Sequence, residues 1–213
     1  GSETFIPPIP GVDTVPFWTH RDALDNKELP ASLAIIGGGV IGIEFASFFN
    51  SLGVQVTVIE MLDEILGGMD KELSALLRAE YAKRGIKFML STKVVSLAEA
   101  SSEDGKPQVQ VNFENAEGTG SVLAEKLLMS VGRRPVTKGF GLENLELKRT
   151  ERGNICTNEQ MQASAPGVYI CGDLTGYSLL AHTAVREAEV AVHTILGKKD
   201  VMSYWAIPGV VYT

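Results

Sequence analysis

Cysteine is nearly absent from this chain of 213 residues: Cys156 and Cys171 are the only two, 15 positions apart. That spacing is neither a CxxC pair nor a metal-ligand pattern, which excludes a disulfide framework and a thiolate metal centre. With so few thiols, the expected setting is a reducing one, the cytoplasm. No apolar run approaches the ~18 residues that a membrane span needs, so no membrane partner is expected. No basic-then-apolar leader opens the chain. Positive charge is in deficit as well. Nineteen Lys and Arg against 26 Asp and Glu leave a net charge of −7 and a pI near 5.1, which argues against nucleic acid as the main partner. A chain this long can bury a sizeable core without staples, as one large domain or two small ones.

What is plentiful is glycine, 22 residues, and it is placed with purpose. Residues 1–16 carry Pro7, Pro8, Pro10 and Pro16, so they read as an extended tether rather than an interior strand or helix. Asn26 to Pro30 is a further break. The core then begins with a strand over 32–36, a helix over about 39–52 and a strand over 54–59. The helix is predicted to bury Ile41, Phe45, Phe48, Phe49 and Leu52, at close to 3.6 spacing. A helix over 70–84 follows, with Asp70 as N-cap and Leu73, Leu76, Leu77 and Tyr81 as its apolar face; 86–90 reads as a strand. Short alternating runs between 91 and 125 read as an inserted antiparallel meander, and 126–131 returns to a buried strand. Residues 133–167 are loop-rich, 167–171 is a predicted strand holding Cys171 in its interior, and 179–196 is a predicted helix. Its small-residue face would comprise Ala184, Val185, Ala188, Ala191, Val192 and Ile195. The fold class is therefore α/β: a parallel sheet with helices and an inserted antiparallel meander.

Gly37-Gly38-Gly39-Val40-Ile41-Gly42 stands between the first strand and its helix, and the second strand ends on Glu60. A G-x-G-x-x-G alone is weak; between strand and helix, with an acid about 20 residues on, it is a dinucleotide-binding fingerprint. Gly37 permits the tight turn, Gly39 lets a pyrophosphate approach the backbone, and Gly42 lets helix and strand pack closely. The pyrophosphate would rest on free N–H groups at the positive helix end. A carboxylate at Glu60 can accept hydrogen bonds from both ribose hydroxyls and would repel a 2′-phosphate, which favours NAD over NADP. Each feature also has a plainer reading: a glycine-tolerant turn, and a solvated acid at a strand end.

Other positions are more open. Glu44, placed in the first turn of the glycine-loop helix, is equally well a helix-dipole acid. Asp173 follows a strand, where α/β sheets put ligand contacts, but N-cap and turn aspartates are common there. His182 fits a structural role better than a catalytic one, and no residue is assigned a catalytic or metal-binding role. Arg133 and Arg134 could meet a phosphate or stand in a solvated loop.

Gly37 to Ile43 and Glu44, Val56-Thr-Val-Ile-Glu60, Ser130-Val-Gly-Arg-Arg-Pro135, Val168-Tyr-Ile-Cys-Gly-Asp173 and Leu179-Leu180-Ala181-His182-Thr183 together resemble the pyridine nucleotide-disulfide oxidoreductase family, and within it the members that oxidise dihydrolipoyl groups. The likeness runs nearly end to end. It implies a flavin domain split in sequence around an NAD domain. On that basis 1–27 is the linker or crossover, 28–131 the Rossmann-like NAD-binding domain, 132–203 the returning part of the FAD-binding domain, and 204–213 the start of a dimer-interface domain. Gly1-Ser2 is either the end of the family's Ala-Thr-Gly-Ser turn or a tag remnant. The resemblance implies NAD contacts from Gly37 to Glu44 and at Glu60, an adenine-side contact at Val94 and a backbone contact at Gly132. It implies FAD contacts at Asp173 and at the helix start Leu179, Leu180, Ala181 and His182. The family's flavin G-x-G-x-x-G, its C-x4-C redox disulfide, the His-Glu pair of the interface domain and the lysine that pairs with Glu44 are all absent here. The resemblance thus implies an internal fragment, inactive alone, of a homodimeric flavoprotein acting on a lipoyl-bearing protein. Another family oxidoreductase (a soluble transhydrogenase, or a mercuric or glutathione reductase) and a non-catalytic NAD-binding module are the alternatives.

Overall fold

The computed structural model describes residues 1–213. Its elements run β1 (Ser2–Thr4), α1 (His20–Asp25), β2 (Ser32–Ile36), α2 (Val40–Ser51), β3 (Gln55–Ile59), α3 (Lys71–Lys83), β4 (Lys87–Met89), β5 (Lys93–Ser101), β6 (Pro107–Asn115), β7 (Gly118–Ala124), β8 (Lys126–Met129), β9 (Arg133–Pro135) and α4 (Ala181–Ile195). Short 3-10 turns lie at Leu142–Asn144 and Gly172–Leu174. The chain forms two compact units: Thr4–Gly132 with Gly209–Thr213, and Gly1–Glu3 with Arg133–Pro208.

The first unit is built on a parallel sheet of order β4-β3-β2-β8. Both faces are covered, so Leu33–Ile36, Val58–Ile59 and Leu127–Met129 are continuous buried apolar runs rather than alternating ones. Leu33, Ile35, Val56, Val58 and Leu128 face one side, with Ile43, Ala46 and Phe49 of α2 and Tyr81 of α3. Ala34, Ile36, Ile59, Leu127 and Met129 face the other, against Leu97, Val109, Val111 and Ala124 of the antiparallel sheet β5-β6-β7. The expected meander is thus the lid of the sheet's second face.

Three readings of this unit change. The segment ahead of β2 is more than a tether. Val12 and Val15 are buried in the second cluster, and Trp18 donates to the Leu127 carbonyl at 2.7 Å and accepts from the Met129 amide at 2.8 Å, so the chain lies along β8. Helix α1 follows, closed by a Thr19–Asp22 capping box whose signal is too short to register as helical periodicity. Leu73 and Leu76 of α3 are exposed, because the buried ridge runs through Ser74, Leu77 and Tyr81 instead. Phe48 of α2 and Leu52, its C-cap, are likewise exposed; Ile43, Ala46 and Phe49 form the contact, with the expected Phe45 packed partly buried against it.

The second unit pairs β1 with β9 and is otherwise loop-rich. The strand expected over 167–171 does not form. Gly167 and Gly172 both adopt positive φ and bound the segment, and only the isolated bridge Gln162↔Tyr169 remains of a ladder. Cys171 is consequently exposed rather than interior. Helix α4 buries Thr183, Glu187, Val190 and Ala191, whereas Val185, Val192 and Ile195 of the expected face point to solvent. Thr183 and Glu187 replace part of the apolar stripe because α4 packs on the polar turn at Gly172–Thr175.

Candidate functional site

In the first unit, the carboxyl ends of β2, β3 and β8 bring Gly37, Glu60 and Ser130 together. The chain continues from β2 to β3 on one side, while β8 joins on the other, so this is the sheet's switch point, where open α/β folds place ligands. Gly37 has φ +105°, and a Cβ there would lie 2.5 Å from the Ser130 carbonyl oxygen. At Gly42 a Cβ would lie 2.1 Å from the Gly37 carbonyl oxygen. Gly39, the N-cap of α2, differs: a Cβ would meet nothing within 4 Å. Two glycines are thus required by packing, and the middle one faces open space. The first intrahelical bond runs from Ile43 N–H to the Gly39 carbonyl at 2.9 Å, which leaves the Val40, Ile41 and Gly42 amides at the positive helix end.

Glu60 is half-buried and accepts hydrogen bonds from Gly38 N–H at 2.5 Å and Leu62 N–H at 2.8 Å. Gly38 is fixed from its other side by Leu66, at φ +56°, whose amide donates to the Gly38 carbonyl at 2.8 Å. The Ser130 hydroxyl lies 3.0 Å from each of the Ile36 and Gly37 carbonyls, to which it donates. Ser130 and Leu66 brace the loop; the Ser130-Val-Gly132 run is a sequence signal for the first, and no local pattern marks the second. Because α2 begins at Val40, Glu44 stands beyond its first turn, which removes the helix-dipole reading. Its Oε1 accepts from the Tyr212 amide at 2.8 Å. Val94 is half-buried beside a bulge in β5 and packs on the second cluster. Gly132, at φ +122°, receives the Phe5 amide on its carbonyl at 3.0 Å.

In the second unit, the Asp173 carboxylate accepts a hydrogen bond from the Ser2 hydroxyl. Arg133 grips Ser2, through Nε to its hydroxyl and Nη2 to its carbonyl, both at 2.6 Å, and Arg134 pairs with Glu3 at 2.7 Å. Both arginines are therefore engaged with the chain's first strand, against the phosphate reading. Leu179, Ala181 and His182 are exposed at the start of α4, with Leu180 as its N-cap. The Ala181, His182 and Thr183 amides precede the helix's first i→i−4 bond, from Ala184 to Leu180. Partial burial, and the nearby Glu187 carboxylate, push the Cys171 thiol up, which leaves it a poor nucleophile.

The sequence profile described as pyridine nucleotide-disulphide oxidoreductase matches residues 1–188. The chain belongs to this family. Among its relatives, dihydrolipoyl dehydrogenase 3 of Pseudomonas aeruginosa is 40% identical over 210 residues, 97% of this chain and 44% of the relative. The mitochondrial dihydrolipoyl dehydrogenase of Homo sapiens is 36% identical, matching 100% of this chain and 42% of its own length. The crystal structure of LpdA from Mycobacterium tuberculosis superposes with TM-score 0.87 at 27% identity, covering 100% of this chain and 45% of that one. The HOCl-induced flavoprotein disulfide reductase RclA from Escherichia coli superposes at 0.82 with 28% identity, covering 93% of this chain and 44% of its own. The chain spans less than half the length of these family members.

Proposed function

We propose that this chain is the NAD-binding region, and part of the FAD-binding region, of a flavoprotein oxidoreductase that reoxidises dihydrolipoyl groups. The observation that carries the NAD half is the open face of Gly39 beside the Glu60 carboxylate at the sheet's switch point. The pyrophosphate would rest on the Val40, Ile41 and Gly42 amides, and the ribose hydroxyls would donate to Glu60. Ile43 packs the helix in place, and Glu44, Val94 and Gly132 would complete the nicotinamide and adenine ends. For the flavin half, Asp173 already holds an alcohol hydroxyl, which is the chemistry of a ribityl or ribose contact. The exposed helix start from Leu179 through Leu180, Ala181 and His182 would direct amide donors and a positive dipole end at the flavin ring, favouring its anionic reduced form.

When bound, NAD and FAD would supply hydride chemistry at the nicotinamide and flavin rings, which no side chain can supply. The residues here bind and orient; the disulfide and the acid–base pair are not among them, so the 213-residue chain is not expected to turn over. The relatives' names point to a lipoyl-bearing protein as substrate, and a homodimer is the matching assembly. No helix is long and apolar enough to cross a membrane. A cytoplasmic setting follows from sparse cysteine, although the human relative is named as mitochondrial. A second reading, a different disulfide reductase of the family, is favoured by the likeness to RclA. The test is calorimetric titration of the chain with NADH and NADPH, together with an assay of dihydrolipoamide oxidation by a longer protein carrying it. NADH-selective binding with dihydrolipoamide activity supports the proposal; NADH-selective binding without it favours the second reading; equal binding of the two nucleotides overturns the NAD site.

A further inference from the structure

Glu187 is a carboxylate residue with no exposed surface, on the buried face of α4. Its Oε2 accepts the Gly172 amide at 2.5 Å, and its Oε1 accepts the Tyr204 hydroxyl at 2.8 Å and the Thr175 hydroxyl at 3.3 Å. Burying a carboxylate is costly unless donors surround it, and here three do so without a cation among them. Two of the three belong to the turn that carries Asp173. Gly172 stands at φ +73°, a conformation that a lone glycine leaves with a wide choice of alternatives, and the Thr175 amide closes the turn on the Gly172 carbonyl at 3.0 Å. The third donor, Tyr204, packs its ring against Tyr177, just beyond the turn, with centroids 4.8 Å apart and planes tilted by 30°. Burial and the neighbouring Glu187 push its phenol up, so it remains a donor throughout the physiological range.

We infer that Glu187 is a positioning residue: from α4 it fixes the Gly172–Thr175 turn so that the Asp173 carboxylate is held out for a hydroxylated ligand, the flavin dinucleotide. This rests on the reading of Asp173 as a flavin contact and adds what holds that contact in place. The geometry assigns the Gly172 amide bond to one carboxylate oxygen and the tyrosine bond to the other, so the two can be broken separately.

The test compares the 213-residue chain with its Glu187→Gln and Tyr204→Phe variants. Amide hydrogen exchange is read at Gly172, and FAD is titrated to millimolar concentration while the Asp173 amide is followed by NMR. Expected for Glu187→Gln is at least tenfold faster exchange at Gly172, with FAD affinity at Asp173 at least fivefold weaker. Tyr204→Phe, which loses a bond but keeps the Gly172 amide on its oxygen, should change the Gly172 exchange by less than threefold; it controls for general loss of stability. Unchanged exchange in Glu187→Gln, faster exchange with undiminished FAD response, or equal effects in both variants would overturn the inference. If the unmutated chain gives no Asp173 response to FAD, the flavin role of Asp173 fails, and with it the positioning of that ligand, while the exchange data still report whether Glu187 holds the turn.

Discussion

The Glu60 carboxylate grips the glycine loop by its middle, accepting the Gly38 amide at 2.5 Å. Its other oxygen takes the Leu62 amide at 2.8 Å, so each oxygen keeps a lone pair for a ribose hydroxyl. A 2′-phosphate would face that carboxylate with like charge. NADH should therefore bind at least ~10-fold tighter than NADPH, about 1.4 kcal/mol. In Glu60→Ala the gap should shrink towards unity, through weaker NADH binding rather than stronger NADPH binding, because the loop loses a brace as well. Identical calorimetric curves for the two nucleotides in the unmutated chain would end this argument.

Gly39 and Gly42 should respond oppositely to the same substitution. Gly39→Ala meets nothing within 4 Å, so its melting temperature should stay within ~2 °C while NADH binding weakens as the methyl enters the open face. Gly42→Ala drives a methyl to 2.1 Å from the Gly37 carbonyl oxygen. Overpacking of about 1–3 kcal/mol should outweigh the ~0.5–1 kcal/mol gained in helix propensity. Thermal melts and NADH titration of both variants separate the cases; a destabilised Gly39→Ala with normal binding contradicts the prediction.

Tyr81 is almost wholly buried, and its hydroxyl has no hydrogen-bond partner. Tyr81→Phe removes that buried polar atom while keeping the ring under the Arg84 guanidinium, 5.5 Å from its centroid. Relief of an unpaired hydroxyl is worth about 1 kcal/mol, so the melting temperature should rise by ~2–4 °C. A fall of that size would mean the hydroxyl is satisfied in solution.

Acid should act on Asp200. Arg186 meets its carboxylate with two bonds, at 2.9 and 2.6 Å, and His193 Nδ1 lies 2.7 Å away. The Arg186 guanidinium, and then His193, hold the carboxyl well below its ordinary value of 3.8. Since the folded value is the lower, this stabilisation is present above the unfolded value and disappears as pH falls through it towards the folded one. The melting curves of the unmutated chain and Asp200→Asn should stand apart at neutral pH and converge below pH ~4. A gap independent of pH would show that the pair contributes nothing through ionisation.

The purified chain should be colourless at 450 nm. On the proposed reading, Asp173 and the start of α4 would offer only one side of a flavin cradle, and this sequence carries no second G-x-G-x-x-G run to supply the other. Flavin absorbance that persists through gel filtration would contradict this.

The sequence by itself determined the glycine loop and the acid beside it. Glycine spacing, the apolar runs on either side and the acid at 60 are local facts, and their chemistry follows from backbone geometry that any sequence reader can apply. It also announced the antiparallel meander, through alternating runs between 91 and 125, though not that this sheet covers the parallel one's second face. Tertiary structure decided the rest, because periodicity reports that a stripe is apolar and not what it meets. Phe48, Leu73 and Val185 share their helices' apolar stripes and face solvent, while Glu187, on a face no hydropathy scale would bury, lies inside. A buried carboxylate becomes tolerable only when donors from distant positions converge on it, here Gly172, Thr175 and Tyr204. That convergence exists only once the chain is folded.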